Sequence, residues 1–227
     1  MRLSAIILTK DESDYLLKSC IESVYSIVDE IIIVDSGGRD SFRIQEWFGN
    51  DKKIKCLNFA WKDSYSYTDA RNFGIEAASA DWVINLDADE VLGEKKYLIR
   101  DFLSKDTDAI SLVGYHFVYN MSLIDNTLPI HVFKNRVTKK IKYPINTMHG
   151  LPMGLKETII EEPIIYHFGY VKGIYKYMRD KWRTEGKRWE MHVPEQYRLY
   201  VLDVLMGRYK VKKFEGELPI EIWRDLV

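Results

Sequence analysis

Four short apolar runs, at residues 3–8, 31–34, 54–59 and 82–86, place the tightest constraint on how this chain folds. Each is too short for a buried helix and lacks the apolar/polar alternation of a strand exposed on one face. Runs of this kind suit strands covered on both sides, as in a parallel sheet. The stretches between them have helical character. In the first, Leu16, Leu17, Cys20, Ile21, Val24 and Ile27 recur at helical spacing, with Asp11 and Ser13 available as caps; residues 41–48 and 68–78 are the next two helix candidates. This alternation predicts right-handed parallel units in a doubly wound α/β domain.

In such a sheet, ligands bind outside the carboxyl ends of the strands. Polar residues gather there. Thr9, Lys10, Asp11 and Glu12 follow the first run, Asp35, Ser36, Gly37 and Gly38 the second, and Asp87, Ala88, Asp89 and Glu90 the fourth. Three carboxylates within four residues repel one another and need a counter-charge. Asp87 and Asp89, two residues apart on a strand, share a face. Oxygen ligands at that density suit magnesium or manganese, which complete their shells with substrate phosphates and water. A solvated acidic turn is the plainer alternative.

From about residue 109 the pattern changes to short extended segments at 109–113, 115–119 and 131–133, broken by Asn126, Pro129 and Pro144. These predict added strands, some of them antiparallel, followed by a helix over 173–189 and a helical tail from Pro194. Charge divides along the same line. Residues 1–113 hold 14 Lys and Arg against 21 Asp and Glu, whereas residues 114–227 hold 19 against 13, so an acidic half precedes a basic one. With 46% hydrophobic and 30% charged residues the chain can bury a full core, and no linker divides it, so one domain over 1–227 is expected. Cys20 and Cys56 sit in apolar stretches without metal-ligand spacing and read as reduced core residues, which makes a cytoplasmic setting the default. The run at 3–8 is too short for a signal-peptide core, and nowhere do about 18 apolar residues run together.

Taken in order, Ile6 to Glu12, Ile33 to Asp40, Ala70, Arg71 and Asn72, and Leu86 to Glu90 resemble the signature of family 2 inverting glycosyltransferases with the GT-A fold. Val132 to Arg136, followed by Met148 and His149, are similar to a segment of the branch that contains lipopolysaccharide-core glucosyltransferases. The resemblance implies a Rossmann-like mixed sheet flanked by helices, with residues 1–113 binding a nucleoside-diphosphate sugar, UDP-linked, and residues 114–227 forming the acceptor side with C-terminal helices. It implies that Thr9 and Glu12 line the nucleoside pocket, that Asp35, with Ser36 beside it, hydrogen-bonds base or ribose, and that Asp69, Arg71 and Asn72 border the diphosphate and sugar. It also implies that Asp89, helped by Asp87, holds Mn2+ or Mg2+, with His149 as a third ligand. His167 competes with His149 for that place, and either histidine could instead be a hydrogen-bonded core residue.

An inverting transferase needs a base facing the acceptor hydroxyl. Related sequences often carry Glu after the late His, but here Gly150 follows His149, and the candidates become Glu90 and Glu157. Residues 172–189 mix seven basic groups with four aromatic ones. Such a stretch can rest peripherally on the inner face of an anionic membrane, hold a phosphorylated carrier or nucleic-acid backbone, or simply be a solvated amphipathic helix. Glycan, glycolipid and modified DNA all stay open as acceptors. Three rival classes stand beside this reading: a sugar nucleotidyltransferase, which lacks its Gly-rich first loop here; a haloacid-dehalogenase-type phosphatase, whose Asp-x-Asp stands near the chain start; and a catalytically silent nucleotide-sugar or glycan-binding module.

Overall fold

The computed structural model describes residues 1–62, 66–103, 106–118, 123–125, 131–144, 153–171 and 211–225. In chain order the elements are β1 (Leu3–Thr9), α1 (Leu17–Tyr25), β2 (Glu30–Asp35), α2 (Asp40–Phe48), β3 (Ile54–Asn58), α3 (Ser66–Ala77), β4 (Trp82–Asp87) and β5 (Glu90–Leu92). A 3-10 turn at Glu94–Tyr97 leads to α4 (Leu98–Phe102), β6 (Ala109–Val118), β7 (Leu123–Asp125), β8 (His131–Lys139), β9 (Glu157–Tyr170), β10 (Val211–Lys213) and α5 (Ile220–Asp225). β1 pairs in parallel with β2 and β4, and β3 pairs in parallel outside β2. β8 then runs antiparallel to both β4 and β6. The result is a mixed sheet that is parallel in its first half, as the resemblance implies.

The first, second and fourth apolar runs are covered on both faces, whereas β3, formed by the third, is only partly buried. Ala5, Ile7, Ile31, Ile33, Ile84 and Leu86 pack with α1 and α2 on one side, while Ile6, Leu8, Ile32, Val34 and Val83 meet Ala70, Ile75 and Ala78 from α3 and its end on the other. Each fully buried Ile or Leu contributes on the order of 1.5–3 kcal/mol of transfer free energy. α3 lies so close that a Cβ at Gly74 would stand 2.6 Å from Ile6 Cγ2. That contact sets the height of α3, and hence of its first turn, against the rim.

Several expectations change. The predicted caps do not cap: Leu16 precedes α1 without a side-chain hydrogen bond, and Asp11 instead adopts a positive φ of 56° in the loop after β1. The segments predicted to start at 109 and 115 form one strand, β6, over Ala109–Val118. Gly114, which reads as a break, is the point where a Cβ would lie 1.9 Å from the Ile165 carbonyl oxygen of β9. β9 itself was not anticipated. Glu161 and Glu162 interrupt its apolar pattern because they form a bulge, with Leu112 opposite Ile160 but Val113 opposite Pro163. Cys20 is buried as expected, whereas Cys56 is exposed because β3 pairs on one side with β2 alone among the described strands. His149 and the segment 172–189 lie outside the described residues. Among the described residues, no helix is long and apolar enough to cross a membrane.

Candidate active site

Two aspartates shape the loops after β1 and β2. Asp40, fully buried as the first residue of α2, accepts the Thr9 hydroxyl and the N–H groups of Glu12 and Ser13, each at 2.9 Å. Asp35 accepts from Gly37 N–H (2.9 Å), Gly38 N–H (2.8 Å), Ser41 N–H (3.0 Å) and the Ser41 hydroxyl (2.8 Å). A carboxylate offers about four acceptor sites, so those of Asp35 are filled. Asp35 thus holds together the turn that follows β2. Ser36 donates its N–H to the Thr9 carbonyl at 2.9 Å, and Gly37 passes so near Asp11 that a Cβ would meet Asp11 Oδ1 at 2.9 Å. Thr9 and Glu12 do lie together on this rim, both buried. Facing them from the loop after β3, Trp61 stands edge-on to Tyr67 at 5.0 Å and carries Lys10 Nζ 5.2 Å from its ring centre.

α3 divides the three residues assigned to it. Asp69 is exposed, in an open cleft with Phe73, Glu76 and Tyr143. Asn72 donates from Nδ2 to the Tyr143 carbonyl at 3.0 Å and accepts the Tyr143 N–H at Oδ1 at 2.8 Å. It fastens residues 141–144 to α3. Arg71 is 7% exposed and donates from Nη2 to Asp87 Oδ1 at 2.8 Å, while its buried Nη1 has no hydrogen-bond partner among the described residues.

The carboxylates after β4 separate into two groups. Asp87 is flanked by Arg71 and by Arg136 of β8, whose Nη2 stands 3.8 Å from Asp87 Oδ2. Burial alone would raise the Asp87 pKa, but Arg71 and then Arg136 hold it below the usual carboxylate range. Its oxygens thus meet guanidinium groups on both sides. Glu90 is fully buried, accepts the Asp87 N–H at 2.9 Å and pairs with Arg136. Burial pushes its pKa up to about 8, with Arg136 pulling down and Asp87 and Asp89 pushing up. Both of its oxygens are engaged, one by the Asp87 N–H and one by Arg136. Glu157 does not join the cluster. It sits at the start of β9, paired with Ser111, ten residues and roughly 30 Å of strand from His167.

Asp89 turns to β9. Its carbonyl accepts the Phe168 N–H at 2.9 Å, and its Oδ1 stands 3.7 Å from His167 Nε2, the two side chains 14% and 17% exposed. That separation is too long for a hydrogen bond. Gly169 keeps the space open, since a Cβ there would come within 2.7 Å of His167 Nε2 and 3.1 Å of Asp89 Oδ2. One carboxylate and one imidazole facing a gap that a methyl group would fill fit a manganese-type ion. Among the described residues no three His, Cys, Asp or Glu side chains close into a cage. Asp40 and Arg136 fall within segments that resemble the family, but their pairing with Thr9 and with Glu90 is not visible in them, and His116 lies in a segment with no such pattern.

The family model of glycosyl transferase family 2 matches residues 4–161, which takes in β1 through the first part of β9. The chain belongs to glycosyl transferase family 2. Among relatives, it is 38% identical over 177 residues to a TPR repeat-containing protein of Synechococcus elongatus, covering 74% of this chain and 42% of that protein. It is 31% identical over 126 residues to the lipopolysaccharide core biosynthesis glycosyltransferase LpsC of Rhizobium meliloti, covering 51% of this chain and 45% of LpsC. The family 2 chain thus spans less than half the length of either relative. Its fold is similar to that of S. aureus TarS residues 1–349 in complex with UDP-GlcNAc, with a TM-score of 0.54 at 12% identity over 79% of this chain and 64% of that one. The complex of the same protein with UDP gives 0.52 at 13% identity over the same shares.

Proposed function

We propose that this protein transfers a sugar, with inversion, from a UDP-linked donor to a hydroxyl of a glycan or glycolipid, using Mn2+ or Mg2+. The observation that carries the reading is the Asp89 and His167 pair facing the gap at Gly169, next to the network of Arg71, Asp87, Arg136 and Glu90. Family membership supports the transfer chemistry. The UDP and UDP-GlcNAc complexes of TarS support a UDP-sugar donor, and the naming of LpsC for lipopolysaccharide core biosynthesis supports a carbohydrate-bearing acceptor.

Asp89 and His167 would hold the ion. When bound, it neutralises charge on the departing diphosphate. Arg71, kept in place by Asp87, brings a buried guanidinium with a spare N–H to the same rim, where it can meet a phosphate oxygen. Arg136 ties Glu90 and Asp87 together beneath the ion site. Thr9, Glu12 and the loops that Asp35 and Asp40 hold form the nucleoside side.

Calorimetric titration of UDP, GDP and their common sugar conjugates, with and without Mn2+, tests the proposal in wild type and Asp89→Ala. Metal-dependent binding of a UDP-sugar that Asp89→Ala loses is the expected result. Binding that ignores both the metal and the substitution removes the ion site, and no binding to any nucleotide sinks the donor assignment.

A further inference from the structure

His116 of β6 stands directly opposite His167 of β9, and the two rings meet edge to face with centroids 4.4 Å apart. Their Nδ1 atoms are 3.1 Å apart, a hydrogen bond in which one imidazole must donate and the other accept. The choice has a consequence at the other end of the His167 ring. A neutral His167 that accepted at Nδ1 would carry its proton on Nε2, the nitrogen 3.7 Å from Asp89 Oδ1, and no lone pair would be left there for a cation. A His167 that donates from Nδ1 presents an Nε2 lone pair to the gap beside Gly169. Phe133, edge-on with its ring centre 6.1 Å from that of His167, limits how the ring can turn.

We propose that His116 is a positioning residue: its Nδ1 accepts the Nδ1–H of His167 and so fixes the tautomer and ring orientation that present His167 Nε2 to a divalent cation shared with Asp89. The inference rests on the metal reading above. Metal-bound imidazoles almost always have their second N–H held by an acceptor, and losing that acceptor typically lowers metal affinity 10–100-fold. Here a second imidazole, 51 residues away in sequence, fills the place usually taken by a carboxylate or carbonyl.

The test is Mn2+ titration of the full chain without donor, read as free Mn2+ by electron paramagnetic resonance, for wild type, His167→Ala, His116→Ala and His116→Asn. Asparagine keeps an acceptor oxygen near the place of the lost Nδ1. His116→Ala should bind Mn2+ about 10–100-fold more weakly, with His116→Asn restoring most of the affinity and all three variants melting as cooperatively as wild type. In the metal-free wild type, nitrogen-15 spectra should show His167 protonated at Nδ1 and bare at Nε2. Unchanged affinity in His116→Ala with affinity lost in His167→Ala would overturn the positioning role alone. So would equal losses in His116→Ala and His116→Asn, or a proton on His167 Nε2 in wild type. Wild-type affinity in His167→Ala would instead remove the metal site itself.

Discussion

Glu30 and Glu90 are both buried glutamates on the same sheet, at 5% and 0% exposure, yet their environments drive them in opposite directions. Burial pushes each pKa up. At Glu30 the push is outweighed by donors: the Ser4 hydroxyl at 2.7 Å, the Ser79 N–H and hydroxyl, and Lys55 Nζ at 3.1 Å bring the value down to about 2. At Glu90 the Asp87 N–H and Arg136 are opposed by the negative charges of Asp87 and Asp89, and the value rises to about 8. Glu30 begins β2, at the end of the sheet that only has to be stable. Glu90 begins β5, beside the rim where carboxylates crowd. Burial by itself therefore does not mark a functional carboxylate. The balance of donors against like charges is what differs between them, and it separates the two ends of the sheet.

The sharpest way to break this contrast is at Asp89, the crowded carboxylate that faces the gap. Asp89→Ala should lower turnover about 10^3-fold, equivalent to about 4 kcal/mol of barrier, while leaving the melting temperature unchanged. A loss below tenfold at saturating donor would place the chemistry elsewhere. Asp40, saturated on the same rim, should behave in the opposite manner. Removing it strands the Thr9 hydroxyl and the N–H groups of Glu12 and Ser13, so Asp40→Ala should cost roughly 3 kcal/mol in urea denaturation. Normal stability with lost nucleotide binding would make Asp40 a ligand contact rather than a loop support.

A smaller effect is expected at the quiet end. Glu30→Gln should cost about 1–2 kcal/mol at pH 7, and the cost should depend on pH in a defined direction. The folded pKa of Glu30 lies below its ordinary value of 4.5, so its stabilisation is fully present above pH 4.5 and fades as pH falls toward about 2. Denaturation curves for the two proteins should thus converge over that window; an offset that stays constant there would show that the serine and lysine contacts do not favour the charged form. Glu157→Gln should change least, within about 0.5 kcal/mol in stability and with turnover unaltered. Lost activity there would restore Glu157 as a candidate base.

Much of the first half was legible because its information is local. Strand runs, helical spacing and the three polar clusters after β1, β2 and β4 all follow from residues close together in sequence, and parallel-sheet geometry then sends those clusters to one rim. The second half was read less well. Gly114 looked like a strand break because a close approach of β9 cannot be seen from β6 alone, and Glu161 and Glu162 hid β9 because a bulge absorbs them. Within the site, Asp35, Asn72 and Asp87 carry side chains well suited to a ligand, but each is already committed to the Gly37–Ser41 turn, to the Tyr143 backbone or to guanidinium groups.

The sequence by itself determined that this chain builds a parallel α/β sheet with acidic residues on its carboxyl rim, since hydrophobic period and turn position are properties of short segments. Only the tertiary structure decided which donors and which like charges each of those acids meets. That depends on how many donors arrive from distant strands, such as Arg136 of β8 and His167 of β9, and on which Cβ atoms are missing where they meet. Electrostatic environment and close approach are sums over neighbours in space, and local residue pattern does not encode them.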